Sequence, residues 1–309
     1  MKGLDDLEKS PVRVAVVGYG HIAREAVKAI NAAQDMEIAG IVIRDPGKVD
    51  EISRQSGLPV FLGSEKLDGA DVAILAIASR AVPEVAPSYL ERGICTVDCF
   101  DIHGEALMLL RERLHRSALK GNSAAMTGAG WDPGTDSIFR GVFEVIAPRG
   151  ITYTSFGPGV SMGHTVAVKQ IQGVRDALSL TLPAGQGMHR RAVYVELDEG
   201  TSLENVRKAV LCDSYFCNDE TTVEEVGDIK SMVDLGHGVR MERKGVSACA
   251  DNQRMAVEMT LTNPSATAQV MVSAARGIVL QPPGCYTMLE IPVADFLPGD
   301  REANIRRLV

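Results

Sequence analysis

The first third of the chain alternates between short apolar runs and segments of helical period, and this alternation restricts the possible folds more than any other feature. Val12 to Val17 is an apolar run bounded by Pro11 and Gly18, and Ile22, Ala26, Ala29, Ile30 and Ala33 follow at helical spacing. The same reading predicts strands at Ile38 to Ile43, Val60 to Leu62, Val72 to Ala78, Ile94 to Val97 and Ser123 to Thr127. It places helices at Val85 to Arg92 and Glu105 to Ala118. Apolar strands separated by helices imply a parallel sheet covered on both faces. Right-handed crossovers then bring the carboxyl ends of all its strands to one edge, where ligands bind in such sheets.

Beyond Trp131 the period changes. Val193, Val195 and Leu197 alternate with Tyr194 and Glu196, and Met255, Val257, Met259 and Leu261 repeat the pattern, as in an antiparallel sheet with one buried face. The expected division is therefore a first domain over residues 1–130 and a second, α+β domain over 131–264. Ala266 to Leu280 looks helical and leads the chain back, so about 265–309 is expected to complete the first domain. A chain of 309 residues, 45% apolar and 23% charged, suits two such domains. Its net charge of −8 contains no block of like charge, which argues against a nucleic-acid partner.

No membrane partner is expected either. The start, MKGLDDLEKS, is acidic where an export signal is basic and then apolar, and Val72 to Ala78 is too short to span a bilayer. Cys95, Cys99, Cys212, Cys217, Cys249 and Cys285 include no CxxC pair, so neither a disulfide framework nor a metal site is expected. A reduced, cytoplasmic location is the simpler reading.

Gly18-Tyr19-Gly20-His21-Ile22-Ala23 is a GxGxxA motif that follows a strand and opens a helix. Gly18 permits the tight turn, Gly20 lets the backbone approach a pyrophosphate, and Ala23 lets the helix pack closely on the strand. The helix N-terminus at His21 and Ile22 supplies N–H donors and positive potential. The motif predicts a Rossmann-type doubly wound sheet that binds a dinucleotide. At the end of the second strand, Arg44 suits the 2′-phosphate of NADP, and the adjacent Asp45 suits the ribose hydroxyl of NAD. Arg44 comes first, so NADP is the expected cofactor.

Two acid-bearing segments follow the last two strands: Val97-Asp98-Cys99-Phe100-Asp101-Ile102-His103 and Gly130-Trp131-Asp132-Pro133-Gly134. In a parallel sheet both open onto the edge that carries the glycine turn. Asp101 and Asp132 are then placed to hold a substrate ammonium group and to accept its proton before hydride leaves the neighbouring carbon.

Residues Val12 to Ala23, Thr96 to His103, Gly130 to Gly134, Phe156 to His164 (FGPGVSMGH) and Gly173 to Pro183 resemble the meso-diaminopimelate D-dehydrogenase family. The resemblance continues through Met188-His189-Arg190-Arg191, Gly236-His237-Gly238 and Asn263-Pro264. It implies NADP-dependent oxidative deamination of the D-centre of meso-2,6-diaminopimelate to L-2-amino-6-oxopimelate and ammonia, in lysine and peptidoglycan precursor supply, by a homodimer or larger assembly. It further implies a second domain that binds substrate and carries the dimer contact. Asp101 and Asp132 then take the D-amino group, with Trp131, Phe156, Met162 and Gly163 lining the pocket. Thr181, Arg191, His237 and Asn263 recognise the distal L-amino acid end. Ala78, Ser79, Arg80, Cys99 and Phe100 join the glycine turn around the cofactor.

Three positions depart from the family pattern. Phe156 stands where some relatives carry Trp, Met162 where others carry Gln, and Asp45 where a second Arg is often found. The first two point to a pocket that also admits 2-oxo acids for reductive amination to D-amino acids, and the third weakens the expected grip on a 2′-phosphate. Two alternatives share the glycine turn: an NADP-dependent reductase or diamino acid dehydrogenase of the same fold, and a non-catalytic NADP(H)-binding sensor. The sensor leaves the paired acids, Arg191 and His237 without a purpose.

Overall fold

Seven parallel strands run in the order β14-β6-β5-β4-β1-β2-β3 through a computed structural model that describes residues 10–64, 67, 69–185, 187–232 and 237–309, apart from the side chains of Ser231 and His237. The strands are β1 (Val12–Val17), β2 (Met36–Ile43), β3 (Val60–Leu62), β4 (Val72–Leu75), β5 (Cys95–Asp98), β6 (Ala124–Met126) and β14 (Gly284–Tyr286). Helices α1 (His21–Ala32), α2 (Val49–Ser56), α3 (Val82–Leu90) and α4 (Glu105–Gly121) connect the first six. The order 3-2-1-4-5-6 within this sheet is that of a dinucleotide-binding fold, as the alternation of periods predicts.

The central strands are buried on both faces, and each face has its own apolar layer. Val14 and Val16 point to one side with Ala23, Ala26 and Ile30 of α1. Ala15 and Val17 point to the other with Ala86 and Leu90 of α3 and Leu114 and Ala118 of α4. The first layer is completed from far along the chain. Helix α8 (Asn263–Ile278) contributes Ala268, Met271, Val272, Ala274, Ala275 and Ile278 to it. The described residues up to Ile138 and Pro264–Val309 thus form one compact unit, and Phe139–Asn263 forms another.

Three details differ from the sequence reading. Strand β4 ends at Leu75 rather than Ala78, because the next residues turn into a short 3₁₀ helix at Ser79–Ala81. Helix α2 escaped notice because Ile52 is its one buried residue. Strand β14 is three residues long, too short to show a period.

The second unit holds two sheets. β7 (Arg149–Phe156), β12 (His237–Ser247) and β13 (Ala250–Leu261) form one, in the order β13-β12-β7. β8 (Gly159–Val160), β9 (Val174–Gly185), β10 (Met188–Leu197) and β11 (Glu220–Glu225) form the other, in the order β11-β10-β9-β8. Strand β10 was expected to bury one face and instead buries both. Val193, Val195 and Leu197 pack on helices α6 (Met162–Lys169) and α7 (Leu203–Cys212), while Ala192 and Tyr194 meet Leu178, Leu180 and Ile229. Intervening loops cover the side that simple alternation assigns to solvent.

Candidate active site

At the glycine turn the backbone itself makes the site. Gly18 has φ +96°, and a Cβ there would lie 2.5 Å from the carbonyl oxygen of Ala76, so only glycine fits beside the turn that leaves β4. Gly20 is the N-cap of α1; a Cβ on it would meet nothing within 4 Å, so open space lies over the helix start. No side chain caps α1, which leaves the first-turn N–H groups of His21, Ile22 and Ala23 available to an anion. Ala23 is fully buried and brings the helix close to the sheet.

Arg44 and Asp45 follow β2 and are exposed. The Asp45 carboxylate accepts the Gly47 N–H at 2.9 Å and caps a 3₁₀ turn at Pro46–Lys48. One Asp45 oxygen is thus engaged locally, and Arg44 faces solvent beside it at the strand end. A turn with no room for a side chain, an uncapped helix start and an exposed guanidinium together fit a phosphorylated dinucleotide.

The acid-bearing loops leave adjacent strands β5 and β6 and are tied to each other by Asp98. Its Oδ1 accepts the Phe100 N–H at 3.0 Å, the Thr127 hydroxyl at 2.9 Å and the Gly128 N–H at 3.3 Å, and its carbonyl accepts the Ala129 N–H at 2.7 Å. Complete burial raises the Asp98 pKa to about 6 against the lowering effect of these donors. Asp101 accepts the Ser79 hydroxyl at 2.6 Å, which joins the loop after β5 to the one after β4. Cys99 lies against Gly130, and burial, with Asp101 and Asp98 nearby, pushes its thiol up to about 12, so it is a neutral contact surface rather than a nucleophile. Phe100 is buried in the sheet core, with its N–H on Asp98. Ala78 and Arg80 are exposed on the neighbouring turn.

The WDPG turn is rigid for local reasons. Trp131 is buried, and its carbonyl accepts the Asp136 N–H and the Thr135 hydroxyl, both at 3.0 Å. Gly134 has φ +144°, and a side chain there would strike the Gly130 carbonyl. The buried Asp136 accepts the Gly134 N–H at 3.1 Å. These contacts fix Asp132, half-buried, in the middle of the turn.

In the second unit Thr181 and Arg191, two of the residues expected at the distal end of the substrate, are brought together by the pairing of β9 and β10. Phe156 pairs with Val239 in register, and Gly157 donates its N–H to the Gly238 carbonyl at 2.8 Å. Gly159 and Val160 of β8 pair with Thr181 and Leu180, and Ser161 donates its N–H to the Ser179 carbonyl at 2.8 Å before the chain enters α6 at Met162 and Gly163. Arg191 pairs with Thr181 across β10 and β9 and donates Nη1–H to its hydroxyl. Phe156 stands edge-on to the His189 ring at 5.9 Å. Leu261 pairs with His237, so Asn263, at the start of α8, lies two residues past that pair. The His237 side chain and Gly236 lie outside the described residues.

Four residues of these surroundings were not singled out from sequence. Asp98 belongs to an acid-bearing segment in which the sequence points to Asp101, no motif includes Asp219, and His189 stands beside Arg191 with no role of its own. His164 closes the FGPGVSMGH motif: its Nδ1 lies 2.8 Å from the Ser161 hydroxyl, and its ring packs against Tyr215 and Phe216 at 4.9 and 5.1 Å. Burial, reinforced by Arg191, lowers its pKa to about 3, so it stays neutral. Among the described residues no group of His, Cys, Asp and Glu is placed to hold a metal ion.

Residues 130–263 match the diaminopimelic acid dehydrogenase C-terminal domain, and residues 12–99 match the NAD-binding Rossmann fold of an oxidoreductase family. The meso-diaminopimelate D-dehydrogenase of Bacteroides fragilis is 50% identical over 298 residues, 96% of this chain and 99% of that one. The Lysinibacillus sphaericus enzyme of the same name is 31% identical over 86% of this chain and 88% of its own. The structure of Corynebacterium glutamicum DAP dehydrogenase in complex with DAP superposes with a TM-score of 0.87 at 26% identity, covering 97% of this chain and all of that one. An engineered D-amino acid dehydrogenase bound to NADP+ gives a TM-score of 0.86 at 26% identity over the same shares. This chain, with its glycine turn, paired acid-bearing loops and two-sheet second unit, belongs to the meso-diaminopimelate D-dehydrogenase family.

Proposed function

We propose that the protein catalyses the reversible, NADP-dependent oxidative deamination of meso-2,6-diaminopimelate at its D-centre, yielding L-2-amino-6-oxopimelate, ammonia and NADPH. The observation that carries this reading is the pair of acid-bearing loops, held side by side by Asp98 at the strand edge that bears the glycine turn. Membership of the family and the DAP-bound relative support it. Gly18, Gly20, His21, Ile22 and Ala23 hold the pyrophosphate of NADP, and Arg44 its 2′-phosphate. Ala78, Ser79, Arg80, Cys99 and Phe100 line the remainder of that site. When bound, the cofactor accepts the hydride that leaves the D-centre carbon.

Asp101 and Asp132 orient the D-amino group and remove its proton, so that nitrogen's lone pair is free to form the imine as hydride departs. Water then adds to the imine carbon, and ammonia leaves. Trp131, Phe156, Met162 and Gly163 line the pocket. Thr181, Arg191, His237 and Asn263 hold the distal amino acid, with the guanidinium on its carboxylate. Residues 1–130 with about 265–309 serve as the cofactor domain and 131–264 as the substrate and dimerisation domain of a homo-oligomer. Six free cysteines fit a reduced, cytoplasmic setting, and no helix among the described residues is long and apolar enough to cross a membrane.

The test is direct. Incubated with NADP and meso-diaminopimelate at mildly alkaline pH, the protein is expected to form NADPH, and the L,L isomer is expected to give none. Tight NADP binding with a flat trace would instead support a sensor or a reductase for another substrate.

A further inference from the structure

Arg191 is surrounded by more acceptors than charge neutralisation requires. Its side chain is one-tenth exposed, and Nε–H donates to Asp219 Oδ2 at 2.8 Å. Nη1–H donates to the Thr181 hydroxyl, and Nη2 lies 2.9 Å from His189 Nε2. His189 Nε2 also lies 3.3 Å from Asp219 Oδ2, so one ring nitrogen touches both the guanidinium and the carboxylate that pairs with it. Nδ1 is buried and has no hydrogen-bond partner. Asp219, Thr181 and His189 together engage all three nitrogens of the guanidinium. Burial and the Arg191 charge hold the His189 pKa below the usual imidazole range, against the pull of Asp219.

The anchors come from separate places. Thr181 is on β9, and His189 and Arg191 are on β10. Asp219 precedes β11, whose Thr221 pairs in parallel with Arg191. The turn that carries Asp219 is closed by its N–H on the Phe216 carbonyl at 3.0 Å, and Phe216 is packed against His164. With the Nε edge closed by Asp219, an incoming carboxylate meets the guanidinium at its two terminal nitrogens, each of which keeps one further N–H.

We infer that Asp219 and His189 are specificity-determining positioning residues, which set Arg191 for end-on capture of the distal carboxylate of the substrate; this rests on the function proposed above. Asp219→Asn is expected to weaken meso-diaminopimelate binding to the NADP-loaded protein by roughly tenfold or more, as for loss of a hydrogen bond to a charged group, and to raise KM more than it lowers kcat. His189→Leu is expected to weaken it in the same sense, and His189→Gln, which restores a polar partner for both Arg191 and Asp219, and Asp219→Glu to recover part of the loss. In an Arg191→Met background, Asp219→Asn is expected to add nothing, because it acts through the guanidinium. Calorimetric binding is read beside turnover, with circular dichroism confirming that each variant folds. Binding unchanged in Asp219→Asn, or full additivity with Arg191→Met, overturns the inference. A wild-type protein that binds meso-diaminopimelate without forming NADPH overturns the proposed reaction and leaves the positioning role standing.

Discussion

Asp98 and the two acids proposed for catalysis, Asp101 and Asp132, pose different physical problems. Asp98 is buried and ties both loops, and its pKa is raised from 3.8 to about 6 by burial. The unfolded chain therefore releases this proton at lower pH than the folded protein does. Stability attributable to the neutral carboxyl is full below pH 3.8 and is lost as pH rises through about 6, by a total on the order of 3 kcal/mol. Asp98→Asn keeps the Oδ1 acceptor and cannot ionise. Denaturant unfolding of both proteins from acid to neutral pH is expected to show the variant gaining on the wild type by about that amount; parallel curves would reject the argument. Asp101→Asn and Asp132→Asn are each expected to lower turnover by roughly a hundredfold or more, the scale of lost acid–base assistance, and steady-state kinetics unchanged in either would remove its role. The placement of these two acids after β5 and β6 was legible in the sequence because each follows an apolar strand run. Asp219 was not, because its link to Arg191 runs through the parallel register of β10 and β11, and nothing local announces it.

The β1-turn-α1 element shows why some of the site reads directly from sequence. Its strand, glycine turn and helix are contiguous, so the motif specifies its own geometry. Gly18→Ala requires a Cβ 2.5 Å from the Ala76 carbonyl at a positive φ and is expected to weaken NADP binding by at least tenfold, an energy of about 1.4 kcal/mol, by displacing the turn. Fluorescence titration with NADPH measures it, and an affinity equal to wild type would show that the turn adapts. Asp45 weakens the expected grip on a 2′-phosphate, and its cap on Gly47 engages one oxygen of that exposed carboxylate. Arg44→Ala is accordingly expected to erode the preference for NADP over NAD by roughly tenfold, the value of one lost charge-assisted contact. The ratio of kcat/KM for the two cofactors reads this, and an unchanged ratio would exclude Arg44 from cofactor choice. Elements with weaker patterns were invisible: α2 buries Ile52 alone, and β14 has three residues.

At the scale of the molecule, the dinucleotide fold is assembled from both ends of the chain, and this has a cost that sequence period alone only hints at. The parallel sheet was legible because its strands are apolar throughout, which few other architectures permit. The seventh strand was not legible, since β14 pairs with β6 across more than half the chain length. Helix α8 places six fully buried residues against the same face as Val14, Val16 and α1. Arg276 adds a bidentate pair to Asp35 at 2.6 and 2.9 Å, at the turn between α1 and β2. Removing α8 and β14 would expose that whole apolar layer and leave β6 as an open edge. A chain ending at Asn263 is therefore expected to lose NADP binding and cooperative unfolding of its first unit, although no residue assigned to the cofactor lies in the deleted part. Met271→Ala is the milder test of the same layer: Met271 is fully buried, and its truncation is expected to destabilise by about 2–5 kcal/mol. An affinity for NADP near that of the full chain in the truncated protein would mean that the first six strands suffice for the nucleotide fold, and that the returning segment serves some other purpose.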